Sequence, residues 1–275
     1  MLKIGKFNRL EVVKKVEFGL YLKADNEEIL LPLKYAKNDT KIGDMLDVFI
    51  YKDSEDRLIA TSLKPKGIVG EFACLKAVDV TSIGAFLDWG LEKDLFVPKN
   101  LQKIKIQKDK NYVVMINLDE STDRIIADTN VEKYLSKETK KLQRAQEVEL
   151  LVHRRTPLGA LVIVDNKYEG LVYENDLYFE LKIGQKLKGY IKNIRPDGKL
   201  DISLKSFGEK AVDEDMQKIL STLKSSSNAL KFNYKSSPED VKKVFQMSRK
   251  AFKRGLTQLI EKNIIEISEE GIKLK

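Results

Sequence analysis

The side chains able to do covalent or metal chemistry are few and scattered in this chain. His153 is the single histidine and lies among Val152, Arg154 and Arg155 in a strand-like run. One histidine cannot build a multi-histidine metal site, and with Cys74 as the single cysteine the usual zinc ligand sets are absent. A Ser–His–Asp system would have to recruit His153. No G-x-x-x-x-G-K-S/T or G-x-G-x-x-G phosphate loop occurs. Carboxylates are plentiful, but nothing in their spacing marks a general-acid pair. The expectation is a protein that is not an enzyme and carries no cofactor and no metal.

Charge is the chemistry that remains. Lysine and arginine number 50 against 42 aspartates and glutamates, a formal charge of +8. Positive charge draws a polyanion of phosphates without reading its sequence, although lysines also guard sheet edges against pairing. Cys74 reads as a small strand hydrophobe. It cannot form an internal disulfide, which suits a reducing cytoplasm. No stretch approaches the ~20 apolar residues of a membrane span. The opening Met1-Leu2-Lys3-Ile4-Gly5-Lys6 lacks a signal peptide's apolar centre. Cytoplasmic localisation with no membrane partner is therefore expected.

The elements that must position these groups repeat three times. A glycine sits in an apolar stretch at Phe18-Gly19-Leu20-Tyr21-Leu22, at Ile83-Gly84-Ala85-Phe86-Leu87 and at Leu158-Gly159-Ala160-Leu161-Val162. A second short strand follows each: Leu30-Leu31-Pro32, Leu95-Phe96-Val97-Pro98 and Gly170-Leu171-Val172-Tyr173. The first and third copies then match from Ile42-Gly43 to Ser62-Leu63-Lys64 and from Ile183-Gly184 to Ser203-Leu204-Lys205. The middle copy ends on Asp123-Arg124-Ile125-Ile126-Ala127, echoing Asp56-Arg57-Leu58-Ile59-Ala60. Alternating runs such as Asn8–Val16 and Met45–Tyr51 predict five strands per copy. Five short strands with an early, sharply bent one suit a small Greek-key barrel of the oligonucleotide/oligosaccharide-binding type. The fold expected is mainly β with an α/β tail, in domains at 1–65, 66–134, 145–208 and 213–275. A helical connector is expected over Glu132 to Glu147, and a helical turn within Asn100–Lys105.

The pattern changes after Gly208. Met216, Ile219, Leu220 and Leu223 fall at helical spacing. Ser237-Pro238-Glu239-Asp240 starts a second helix with a serine cap and a proline in the first turn. Ser248 caps a third, and Ile264–Ile267 and Ile272–Leu274 predict a hairpin. Together they form a winged helix–turn–helix pattern. The third helix carries a core stripe of Phe252, Leu256, Leu259 and Ile260. Arg249, Lys250, Lys253 and Arg254 lie on its remaining surface as nucleic-acid candidates, since a winged helix can place this helix in a DNA major groove. Glu269-Glu270 at the wing tip disfavours insertion near phosphates.

The aromatic-Gly-x-aromatic, Gly-Leu-Val-x, Ile-Gly and Ser-Leu-Lys signatures resemble the S1-type RNA-binding domain. Three such domains followed by a winged helix resemble the conserved virulence factor B family of bacterial RNA-binding regulators. That resemblance implies single-stranded RNA as partner, held on one face of each barrel by two rings, a histidine position and a nearby cation. Phe18 and Tyr21 match both ring positions in the first domain, with Arg57 as cation and Pro32 at the histidine position. In the second, Phe86 matches one ring, Ile83 replaces the other, Trp89 adds a ring on an exposed loop edge, and Arg124 is the cation. In the third, Leu158 and Leu161 replace both rings, Tyr173 stands at the histidine position, and Lys199 is the cation. Each residue also has a plainer role open to it: strand rings fill barrel cores, and hairpin arginines decorate surfaces. A monomer that binds RNA and modulates gene expression post-transcriptionally is expected. A winged-helix regulator of DNA and a scaffold for the ribosome or another protein stand as alternatives.

Overall fold

The computed structural model describes residues 1–25 and 27–275. The chain divides into two compact units, Met1–Leu135 and Ser136–Lys275.

The first unit holds two closed barrels. Strands β1 (Phe7–Val16), β2 (Gly19–Ala24), β3 (Glu27–Pro32), β4 (Met45–Lys52) and β5 (Leu58–Thr61) close in the order β1-β2-β3-β5-β4. The second barrel repeats this order with β6 (Phe72–Val80), β7 (Gly84–Asp88), β8 (Leu95–Pro98), β9 (Asn111–Asp119) and β10 (Arg124–Asp128). Strand alternation puts Val12, Leu20, Leu22, Ile29, Leu31, Val48, Ile50 and Ala60 in the first core. Phe49 and Tyr51 of β4 join a different cluster, with Trp89, Leu87, Val97 and Ile116 of the second barrel. The two barrels therefore share buried apolar surface rather than only a linker. Gly5 sits at this junction with φ +74°, and a Cβ there would lie 2.1 Å from Val69 Cγ2.

The second unit begins with β11 (Glu147–Thr156), β12 (Gly159–Val164), β13 (Tyr168–Tyr173), β14 (Lys186–Ile194) and β15 (Leu200–Ser203), closed in the same order. The winged helix follows: α1 (Gly208–Ser225), β16 (Ala229–Leu230), α2 (Pro238–Phe245), α3 (Arg249–Glu261), β17 (Ile265–Ile267) and β18 (Ile272–Leu274). Ser237 and Ser248 cap their helices by accepting from the backbone N–H of Asp240 (3.0 Å) and Ala251 (3.1 Å). Phe245, Phe252, Leu256 and Leu259 form its core with Ile219 of α1.

Two shared devices explain why one barrel recurs. Gly19, Gly84 and Gly159 lie against the opposing strand, where a Cβ would meet the carbonyl oxygens of Leu31, Val97 and Val172 at 2.5, 2.4 and 2.0 Å. The first long strand of each barrel also breaks register at one residue, between Val12 and Lys14, Ala77 and Asp79, and Val152 and Arg154. Such bulges bend and twist a strand, as closing a small barrel requires. His153 occupies the third of these bulges.

The connector helix expected over Glu132 to Glu147 does not form. Val131–Tyr134 is a short 3-10 turn. The buried Asp128 carboxylate holds it by accepting from the Asn130 backbone N–H (2.7 Å) and the Tyr134 hydroxyl (2.9 Å) and by pairing with Lys133. The next residues form short turns, such as Leu142 N–H to Thr139 O (3.0 Å), and are tied to the third barrel by Ser136 N–H to Lys167 O (2.8 Å) and Ala145 N–H to Ile191 O (2.8 Å). With Leu142 as the main apolar residue of that stretch, a helix has no face to bury, and isolated helices of this length are marginal in water. The turn within Asn100–Lys105 appears as a 3-10 turn over Lys99–Leu101.

Candidate nucleic-acid interface

Register places equivalent residues side by side on the outer surface of each barrel. In the first, Tyr21 faces Leu30 across β2–β3, and Leu30 faces Ile59 across the parallel β3–β5 pair. The second barrel has Phe86, Phe96 and Ile126 at these positions. The third has Leu161, Leu171 and Asp201. Their neighbours in each strand point into the cores, so these three side chains form a row on the outer surface.

In the first barrel Phe18 stands beside the row, 60% exposed, with its ring edge-on to Tyr21 at 6.4 Å between centroids. Lys14 lies over the Tyr21 ring at 5.5 Å. Backbone pairing fixes Phe18: its carbonyl accepts from Leu33 N–H at 3.0 Å. Arg57 is exposed but committed within its own hairpin. Asp53 accepts from its Nε (3.0 Å) and Nη2 (2.7 Å), and Glu55 lies 2.8 Å from Nη1.

The second barrel carries the stronger aromatic surface. Phe86 and Phe96 pack at 5.1 Å between centroids, tilted 41°. Ile83, 66% exposed, occupies the place of Phe18. These three side chains, with Ile126, Arg124 and Lys52, Ser54 and Asp56 of the first barrel, line a groove of ≈ 510 Å³. Sequence reasoning missed Phe96. The signal was available: in Leu95-Phe96-Val97 the two aliphatics face the core, so the ring between them must face out. Arg124 donates from Nε to Asp56 Oδ1 at 3.0 Å and from Nη2 to Asp56 Oδ2. That guanidinium holds the Asp56 carboxyl below the usual range. Within the groove, burial and the charge of Asp88 raise the Asp94 pKa, and burial lowers that of Lys93.

Trp89 is a correction. It was expected at an exposed loop edge and is 2% exposed. Its indole N–H donates to Gly67 O at 2.7 Å, and its ring meets Phe49 of the first barrel at 5.5 Å, edge to face. The expectation failed because it treated the second barrel alone, whereas the first barrel covers this ring. Trp89 joins barrels and offers no stacking face.

The third barrel departs furthest. Leu158 is 67% exposed but aliphatic. The Tyr173 hydroxyl donates to Asp201 Oδ1 at 3.1 Å, and Lys192 lies over its ring at 5.9 Å. Lys199 is paired with Glu169 at 3.0 Å. A carboxylate thus stands where the other barrels place isoleucine. In the winged helix, Arg254 binds the buried Asp215 at 2.8 Å, and Arg249 turns toward Tyr234 O at 3.3 Å. Both arginines tie α3 to its own domain. Lys250 and Lys253 make no ion pair among the described residues, and Lys250 is exposed.

No group of three or more His, Cys, Asp or Glu among the described residues is placed to hold a metal ion. Among the described residues no helix is long and apolar enough to cross a membrane. Family models match residues 4–63 as an S1 domain, 132–206 as the second domain of virulence regulatory factor CvfB, and 217–274 as a CvfB-like winged helix domain. A protein of Staphylococcus saprophyticus named conserved virulence factor B is 27% identical over 282 residues, covering 98% of this chain and 94% of that protein. The Bacillus subtilis protein YitL is 27% identical over 265 residues, covering 94% and 89%. A crystal structure of a multidomain protein with nucleic acid binding domains from Streptococcus pneumoniae covers 99% of this chain and 98% of its own, at 24% identity and TM-score 0.47. The matched S1 domain supports nucleic acid as the partner class.

Proposed function

The chain belongs to the conserved virulence factor B family, and from that premise we propose that it is a non-catalytic protein of the cytoplasm that holds single-stranded RNA on its first two barrels and acts post-transcriptionally. The supporting observation is a ring pair on the outer face of each of the first two barrels, Phe18 with Tyr21 and Phe86 with Phe96, in which Tyr21 and Phe86 hold the same register position. Unpaired bases can stack on such rings whatever their identity, at ~1–3 kcal/mol per base. A duplex hides its base faces and would depend on α3, where two of four basic residues are already bound within the domain. Two modest sites on one chain raise overall affinity through effective concentration. In this reading the third barrel contributes little, because Asp201 places a negative charge in its row.

The test is titration of labelled single-stranded RNA, single-stranded DNA and duplex DNA at two salt concentrations. Single-stranded RNA is expected to bind most tightly, and its affinity to fall as salt rises because lysine and arginine contacts release counterions. Equal or tighter binding of duplex DNA overturns the proposal in favour of a winged-helix regulator.

A further inference from the structure

The groove on the second barrel is not made by that barrel alone. One wall is the first barrel's hairpin, Lys52 to Asp56, and three contacts hold it there besides the Arg124–Asp56 pair. Lys93 Nζ donates to the carbonyls of Lys52 (3.1 Å) and Asp53 (2.7 Å), and Lys52 Nζ donates to Thr122 O (2.8 Å). The wall therefore stays in place when Arg124 and Asp56 separate. Those two side chains are 56% and 44% exposed. An ion pair in such a setting contributes little, so exchanging its partner costs little. A guanidinium fork fits a phosphate as well as it fits a carboxylate.

We propose that the two barrels together form one nucleotide-binding groove, in which Phe86, Phe96 and Ile83 take the base and Arg124 passes from Asp56 to a backbone phosphate. This rests on the nucleic-acid reading above and adds to it a competitor built into the neighbouring barrel. In the free protein Asp56 neutralises the one arginine of the groove. A phosphate alone gains little by displacing it. A nucleotide that also stacks on the rings gains from both contacts, so the carboxylate favours strands that present an unpaired base beside the phosphate.

The consequence runs against simple expectation: removing a charged residue of the first barrel strengthens binding at the second. Asp56 has φ +60°, in the left-handed region, which asparagine tolerates. Asp56→Asn thus removes the charge without backbone strain. Fluorescence anisotropy with a labelled unstructured RNA oligonucleotide compares the full chain with Asp56→Asn, Arg124→Gln, the double variant and Glu55→Gln. Asp56→Asn is expected to tighten binding about two- to fivefold, the range set by an exposed ion pair. Arg124→Gln weakens it, and the double variant matches Arg124→Gln alone. Glu55→Gln, one residue away and paired with Arg57, leaves affinity unchanged. The inference is overturned if Asp56→Asn weakens binding or leaves it unchanged. It is also overturned if Glu55→Gln tightens binding equally, which means bulk charge, or if the gain from Asp56→Asn persists without Arg124. Wild type that binds RNA while Asp56→Asn gains nothing defeats this inference alone. If no form binds RNA, the functional proposal falls and the groove assignment falls with it.

Discussion

Truncating Phe18 separates a binding ring from a structural one by magnitude. The side chain is 60% exposed. Fully burying a phenylalanine stabilises by roughly 1.5–3 kcal/mol, so the buried two-fifths is worth roughly 0.6–1.2 kcal/mol. The edge contact with Tyr21 adds about 0.5 kcal/mol, the low end for a ring pair because this one is solvated. Phe18→Ala is thus expected to destabilise the protein by about 1–2 kcal/mol. If a base stacks on Phe18, the same change weakens RNA binding by about 1–3 kcal/mol, roughly five- to 150-fold. Anisotropy titration and urea denaturation on one preparation give both numbers. Leu158→Ala is the control: the equivalent position of the third barrel is equally exposed but has no aromatic face, so its loss should leave affinity within about twofold. The stacking assignment is refuted if Phe18→Ala leaves affinity unchanged in folded protein. It is also refuted if Leu158→Ala costs as much, because the positions would then matter without the ring.

Trp89→Ala should show the opposite profile, a loss of about 3–5 kcal/mol in urea denaturation from the cavity between barrels, with the affinity of the folded fraction little changed. Replacing both Lys250 and Lys253 by glutamine should leave the salt dependence of RNA binding unaltered. A slope reduced by about 1.4 would instead assign each a phosphate contact. Glu147 accepts from Lys188 (2.7 Å), Lys210 (2.9 Å) and the Tyr190 hydroxyl (3.0 Å), which together hold its carboxyl at about 2. A lowered folded pKa means that its stabilisation is present above the ordinary value of 4.5 and is lost as pH falls toward 2. The difference in urea midpoint between wild type and Glu147→Gln should therefore shrink on titration from pH 7 to about pH 2.5; a gap that stays constant contradicts the assignment.

The barrels were legible because their determinants are local. Period-two alternation and the short polar hairpin are each set by neighbouring residues, the glycine meets a carbonyl only 12 or 13 residues further on, and all three copies carry these features. The winged helix was legible for the same reason, through the caps at Ser237 and Ser248. What the sequence hid was set by contacts between copies or by charge partners distant in the chain. Trp89 has an exposed-edge sequence context, Asp88-Trp89-Gly90, and is buried because Phe49 arrives from the preceding barrel. Arg124 matches Arg57 in its motif, yet Arg57 is bound within its own hairpin while Arg124 reaches 68 residues back to Asp56. Repeat logic assigns both the same role; packing does not. The Lys52–Asp56 hairpin, equivalent to the one preceding Arg124, is a wall of the next barrel's groove, so two barrels of one fold present unequal surfaces. Equivalent positions in a tandem array are therefore equivalent in fold, while their chemistry depends on which neighbour packs against them.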